Sequence, residues 1–110
     1  MEKSQATFTV LIKTELTGTQ GREIRVGLAE VAPNFTGSPH SHVGDEVVCM
    51  LEGSITFTLD GKPDVTLKAG ATCHIPAKQV HFGTTGSESV KFLSIQVQET
   101  GTPGVRVQAE

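Results

Sequence analysis

A chain of 110 residues with net charge −3 is sized for a single domain with a modest core, and its nine Lys and Arg are scattered, which argues against a nucleic-acid footprint. The longest apolar runs are about five residues, as in Val47–Leu51, too short to span a bilayer. The N-terminal segment MEKSQATFTVLIKTEL lacks a secretory hydrophobic region, so a cytoplasmic protein without a membrane partner is expected.

Alternation, not helical periodicity, runs through the chain. Residues 1–6 are polar and expected at the periphery, and FTVLIKTEL (8–16) is strand-like. REIRVGLAEV (22–31) places Ile24, Val26 and Leu28 on one face. APNFTGSP (32–39) is a turn cluster that leads into HSHVGDEVVCMLEG (40–53). SITFTLDGK (54–62) alternates Ile55, Phe57 and Leu59 with Ser54, Thr56 and Thr58, then reaches Asp60-Gly61, a pair suited to a tight hairpin turn. KAG (68–70) and PAK (76–78) redirect the chain before QVHFG (79–83), and GTTGSE (83–88) precedes the β-branched segment SVKFLSIQVQ (89–98). Residues 99–110 form a polar, Gly/Pro-interrupted tail. Eight or nine short strands at a spacing of about 8–12 residues predict an all-β sandwich or small barrel, one domain over 1–110.

The chemistry concentrates on histidine. On an extended strand His40 and His42 point to the same face, about 7 Å apart. Glu46 shares their parity but would lie about 13 Å beyond His42 on a straight strand. A turn at Gly44-Asp45 is therefore expected to fold the next strand back and return Glu46 to the same pocket. His81 is the fourth candidate. Three imidazoles and a carboxylate suit one divalent transition metal ion per chain (Fe, Mn, Ni, Co, Cu or Zn), with coordination positions left open for substrate. Cys49 and Cys73 are not in CxxC spacing and read as reduced thiols, so a Cys-type zinc site is not expected.

These segments resemble the cupin superfamily. Its first motif, G-x5-H-x-H-x3,4-E-x6-G, meets Asn34, His40-Ser41-His42, Glu46 and Gly53 at matching spacing. Its second, G-x5-P-x-G-x2-H-x3-N, meets Gly70, Pro76-Ala77-Lys78, His81 and Thr85. Asn34, Lys78 and Thr85 depart from the pattern without removing a ligand. Asn tolerates left-handed backbone, whereas Lys78 predicts a turn whose backbone departs from it. The resemblance implies a double-stranded β-helix, a jelly-roll barrel holding a divalent metal on His40, His42, Glu46 and His81. It also implies a homodimer paired through sheet faces and an exchanged N-terminal strand within residues 1–20.

The other polar residues read as structural. His74 alternates away from Cys73 and Ile75 and is expected at the surface; Asp45 and Glu52 read as solvated, and Lys78 as a loop lysine. Cys49 falls on the face opposite Val48 and Met50. The inner wall is predicted to be Val48, Met50, Phe57, Cys73, Ile75 and Phe92 or Leu93, with Gly83. Such an apolar pocket favours a small, partly hydrophobic ligand that chelates the metal through one or two oxygens. The function expected first is a dioxygenase-type oxidoreductase acting on an enediol, catechol or similar oxyanion, with Glu46 taking the substrate proton. The alternatives are a redox-silent metal-assisted isomerase, cyclase or lyase, and a non-catalytic metal or small-ligand binding protein.

Overall fold

The structure, a computed structural model, describes residues 5–102 and 106–107. Among them the chain forms ten strands and no helix: β1 (Ala6–Glu15), β2 (Arg22–Val31), β3 (His40–Ser41), β4 (Asp45–Glu52), β5 (Ser54–Leu59), β6 (Val65–Lys68), β7 (Thr72–Ile75), β8 (His81–Thr85), β9 (Val90–Glu99) and β10 (Arg106–Val107). Two antiparallel five-stranded sheets result, ordered β1-β2-β9-β4-β7 and β10-β3-β8-β5-β6. Consecutive strands switch sheets repeatedly, which gives the jelly-roll its closed, two-layer form. No helix among the described residues is long and apolar enough to cross a membrane.

Strand alternation sets the core. Val48, Met50, Ile55, Phe57, Leu59, Leu67, Ile75 and Val90 are buried together between the sheets. Each contributes about 1.5–3 kcal/mol on full burial. The alternating segment 54–59 reads in the structure as it does in the sequence, with Ile55, Phe57 and Leu59 inward.

The β2 segment turns the other way. Glu23, Gly27 and Ala29 are buried on the inner face, while Ile24, Val26 and Leu28 point outward opposite Val97, Ile95 and Leu93. A second apolar surface thus covers the outside of this sheet, continued by Val47 and by Cys49 opposite Leu93. Period-2 patterning defines two faces and is silent about which is enclosed when both carry apolar residues.

Two backbone features hold the region that carries the histidines. Asn34 (φ 56°) and Lys78 (φ 66°) both occupy the left-handed region. The expected departure at Lys78 is therefore corrected: the turn keeps positive φ in spite of its side chain, and the Lys78 amide donates to the His42 carbonyl at 2.7 Å. Thr85, at the other departure, is buried; its hydroxyl donates to the Ala32 carbonyl (2.7 Å) and accepts from the Phe35 amide (3.0 Å), tying down the 32–35 loop.

Candidate metal centre

β3 and β8 are neighbours in one sheet, and their register sets His40 opposite His81. His42 follows at the end of β3, and the chain then crosses to the other sheet, where β4 presents Glu46. The Val43–Asp45 stretch is thus a crossover between layers and not the reversal expected of a hairpin. It runs tight against β9: a Cβ on Gly44 would stand 1.8 Å from the Val97 carbonyl oxygen.

The imidazoles converge. Ring centroids are 4.4 Å apart for His40 and His81, 5.2 Å for His40 and His42, and 5.3 Å for His42 and His81. One nitrogen from each lies within 4.8 Å of the others. Backbone carbonyls fix two of the tautomers. Nδ1 of His40 donates to the Ser38 carbonyl (2.9 Å) and Nδ1 of His81 to the Gln79 carbonyl (2.8 Å), since a carbonyl can only accept. Their Nε2 atoms are left as lone-pair donors for a metal. Burial lowers the His40 pKa from its ordinary value; the Ser38 carbonyl opposes this, and the neighbouring His81 and His42 rings lower it further. His40 is accordingly neutral at neutral pH, the form that ligates.

Glu46 completes the cluster. Its Oε1 lies 3.1 Å from His42 Nε2 and 3.5 Å from His81 Nε2, yet it is buried and makes no hydrogen bond. A carboxylate oxygen facing the lone pair of His81 Nε2 at that distance is an arrangement of two electron-rich atoms around a common point. It fits a cation between them and is unfavourable without one. The other oxygen, Oε2, accepts a hydrogen bond from the buried Ser94 hydroxyl, which in turn accepts from Gln96 Nε2 at 3.2 Å. Burial alone would raise the Glu46 pKa; the adjacent His42 and the hydrogen bond from Ser94 outweigh it and hold the carboxyl well below the usual range. A mixed nitrogen and oxygen set of three imidazoles and an ionised carboxylate suits a divalent transition metal.

Two cavities of about 360 and 230 Å³ meet at this cluster, both bordered by Phe8, Ala29, His40, Glu46 and Phe92. Of the residues expected on the inner wall, Phe92 lines both, and Phe57 and Gly83 line the smaller. Val48, Met50 and Ile75 do not reach either cavity; they are buried in the apolar core, and Cys73 packs against that core. They share the inward parity but belong to the stretch of β4 and β7 that is roofed by β5 and β6. Burial raises the Cys73 thiol and the Glu46 charge adds to it, so Cys73 is an inert neutral group. Asp45 and His74 are not isolated: His74 Nε2 lies 3.0 Å from Asp45 Oδ1, which also accepts from the Ala77 amide. Glu52 is exposed and pairs with Lys91 at 3.7 Å.

Arg25, Ser94, Gln96, Phe8 and Val10 border the larger cavity and were not anticipated from the sequence. The available signal was the polar alternation Glu23/Arg25 and Ser94/Gln96/Gln98 within apolar strands. It is a strand face as regular as the apolar one, and it is the face that turns inward.

Two antiparallel sheets in a jelly roll, with three imidazoles gathered in the cavity between them, define a small barrel protein with a site suited to metal binding. The chain belongs to the cupin superfamily: residues 27–96 match the Cupin domain family (Cupin_2). It is 34% identical over 82 residues to dimethylsulfoniopropionate lyase DddW of Ruegeria pomeroyi, a stretch covering 73% of this chain and 53% of that protein. In fold it is similar to the DMSP lyase DddQ of Ruegeria pomeroyi (TM-score 0.80, 16% identity, 94% of this chain and 52% of that one). It is also similar to the polyketide cyclase RemF of Streptomyces resistomycificus (TM-score 0.65, 21% identity, 100% of this chain and 87% of that one). The chain spans about half the length of the lyases it matches.

Proposed function

We propose that this cupin is a metal-dependent lyase that eliminates a leaving group from a small carboxylate substrate, with His40, His42, His81 and Glu46 holding one divalent ion. The observation that carries the reading is the buried Glu46 Oε1, without a hydrogen bond and turned toward His42 and His81. Similarity to a lyase by sequence, and to a lyase and a cyclase by fold, supports redox-silent chemistry over the dioxygenase expected first. Bound at this cluster, the ion would supply Lewis-acid stabilisation of charge on a substrate oxygen.

The chain's own groups account for the rest. Phe8, Val10, Ala29 and Phe92 give the cavity an apolar wall against which the substrate's carbon skeleton would lie. The chain contains no Tyr, so the proton acceptors bordering the larger cavity are the Glu46 carboxylate and the histidines. Glu46, ionised at neutral pH, would take the proton from the carbon next to the substrate's carboxylate on Oε1 as that oxygen gave up its place in the cluster, leaving the three histidines to hold the ion. The C–H electron pair forms the double bond, and the leaving group departs from the adjacent carbon with its own bonding pair. The Ser94 hydroxyl holds Oε2, which leaves Oε1 as the oxygen that accepts the proton.

The test is to load the protein separately with Zn, Ni, Mn and anaerobic Fe(II), then incubate it with dimethylsulfoniopropionate and other 3-substituted propionates. Release of the unsaturated acid, lost in Glu46→Gln, is expected. Failure to retain any metal, or absence of elimination with every metal and substrate, would refute the reading.

We further propose that the chain acts as a homodimer through the outer face of the β1-β2-β9-β4-β7 sheet, where Ile12 (56% exposed) and Val47 (37%) flank the Val26–Ile95 row. β1 pairs here with β2 of its own chain, and its exchange between copies would keep the same ladder. Sedimentation of the wild type and of Val47→Lys checks the dimer; a wild-type monomer at micromolar concentration would refute it.

A further inference from the structure

The inner face of the β1-β2-β9-β4-β7 sheet carries a polar row across four strands. Lys13 stands opposite Arg25, Arg25 opposite Gln96, and Gln96 opposite Glu46. Neighbouring strands are about 4.8 Å apart, so the backbones of Arg25 and Glu46 are separated by roughly 10 Å, with Gln96 between them. Arg25, Gln96 and Glu46 all border the 360 Å³ cavity that His40 and His42 open into.

Arg25 is only partly satisfied. Its side chain is 12% exposed, one Nη contacts Glu23 at 3.4 Å, and its Nε is buried without a hydrogen bond. Gln96 is 3% exposed. Its Nε2 is committed to Ser94, and its Oε1 is buried without a partner. Leaving such atoms without partners costs about 1–3 kcal/mol each, so native structures retain them where something else supplies the partner. Here the two orphans are cross-strand neighbours of opposite character. The Nε–H requires an acceptor and the Oε1 a donor, and both residues border the cavity shared by the apolar Phe8, Val10, Ala29 and Phe92 and by the His40, His42 and Glu46 cluster.

We infer that Arg25 and Gln96 form a second subsite for a small hydroxy acid, whose carboxylate lies on the Arg25 guanidinium and whose hydroxyl donates to Gln96 Oε1. The subsite deepens the lyase reading, because it faces the same cavity as the proposed metal centre and assigns the class of acid that would be drawn into it. A guanidinium binds a carboxylate as a planar, charge-assisted fork, and the Glu23 counterion keeps it oriented. Lys13, exposed at the edge of the row, adds positive potential on the side where the anion would enter. A substrate carrying only an aliphatic cation would leave both orphan atoms unmatched.

The experiment is an NMR titration of the zinc-loaded protein, and in parallel of the metal-free protein, with four probes: 3-hydroxypropionate, lactate, propionate and propane-1,3-diol. At least one hydroxy acid is expected to bind tighter than propionate, which lacks the hydroxyl, and tighter than the diol, which lacks the carboxylate. Arg25→Met alone would leave Glu23 buried without its partner. The decisive variant is therefore Glu23→Gln/Arg25→Met, which removes both charges; circular dichroism and melting confirm its fold, and Arg25→Lys serves as a second, charge-preserving test. Loss of about tenfold or more in acid affinity in the double variant, with diol affinity unchanged, is expected. A smaller but definite loss is expected in Arg25→Lys. Acid affinity within threefold of wild type in both variants, or a diol that binds as tightly as both hydroxy acids, would overturn the inference. Failure of zinc to bind would count against the metal reading alone, since the metal-free titration still reports on Arg25.

Discussion

Replacing Ser94 by alanine probes the candidate centre without touching a proposed ligand. The Ser94 side chain is 2% exposed, donates to Glu46 Oε2 and accepts from Gln96 Nε2. Its removal deletes one charge-assisted hydrogen bond, worth about 1.5–3 kcal/mol, and strands the Gln96 amide donor besides. We expect the metal-free protein to lose about 2–3 kcal/mol in urea unfolding, with an unchanged m-value. Glu46, freed on one side, would rotate away from the histidines, and the affinity for zinc or nickel would fall about 10–100-fold, the usual effect of losing a partner that orients a ligand. Competition against a chromophoric chelator measures this directly. A Ser94→Ala protein that is less stable but binds metal within threefold of wild type would show that Glu46 is not held for a metal, and the account of the orphaned Oε1 would fail with it.

Further outcomes are expected elsewhere. His42→Ala should release most of the bound metal while the circular dichroism of the folded barrel persists; unchanged metal content by elemental analysis would displace the proposed centre. Gly44→Ala drives a Cβ into the Val97 carbonyl, with 1.8 Å available. It should cost about 2 kcal/mol or more in urea unfolding and shift Glu46 enough to weaken metal binding; a neutral effect on both would contradict the crossover geometry. Lys78→Gly removes left-handed strain of about 1–2 kcal/mol and adds unfolded-state entropy of about 0.4–1 kcal/mol. The net should be a gain of roughly 0.5–1 kcal/mol, read as a higher melting temperature. The metal-free protein should also weaken in acid. Burial and its neighbours hold His40 below its ordinary 6.5, and its polar contacts, acting against burial, hold Glu46 below 4.5. Each binds protons less readily folded than unfolded. Their stability is therefore full above pH 6.5 and declines as pH falls, through the His40 window first and the Glu46 window below pH 4.5. Stability that rose between pH 7 and pH 5 in denaturant titrations would refute the assignment.

Much of the molecule is legible in its sequence. Period-2 alternation and Gly/Pro punctuation specify short strands, because side chains on a pleated strand must divide between two faces. The spacing of His40, His42, Glu46, Pro76 and His81 specified which side chains could gather, and the structure brings those imidazoles and that carboxylate together. The segment 22–31 is β2 at those same limits. Asn34 and Lys78 stand in left-handed turns where the family pattern has glycine, which the departure of Lys78 had argued against. Backbone demand there is set by the loop's attachments, the Lys78 amide on the His42 carbonyl among them, and outweighs the side chain's preference.

What the sequence determined by itself, then, was the kind of element and the identity of the clustered histidines, since both depend on local spacing along one chain. Only the tertiary structure decided which face of each strand was enclosed. β2 and β9 carry apolar residues on one face and Glu23, Arg25, Ser94, Gln96 and Gln98 on the other, and local alternation treats the two faces as equals. The choice is made by packing two sheets together. That packing turns the polar face toward the cavity, where Glu46 and the histidines can share it, and leaves the apolar face outside. Sheet pairing across long sequence separations therefore decides what surrounds the candidate metal centre, and with it what the cavity can recognise.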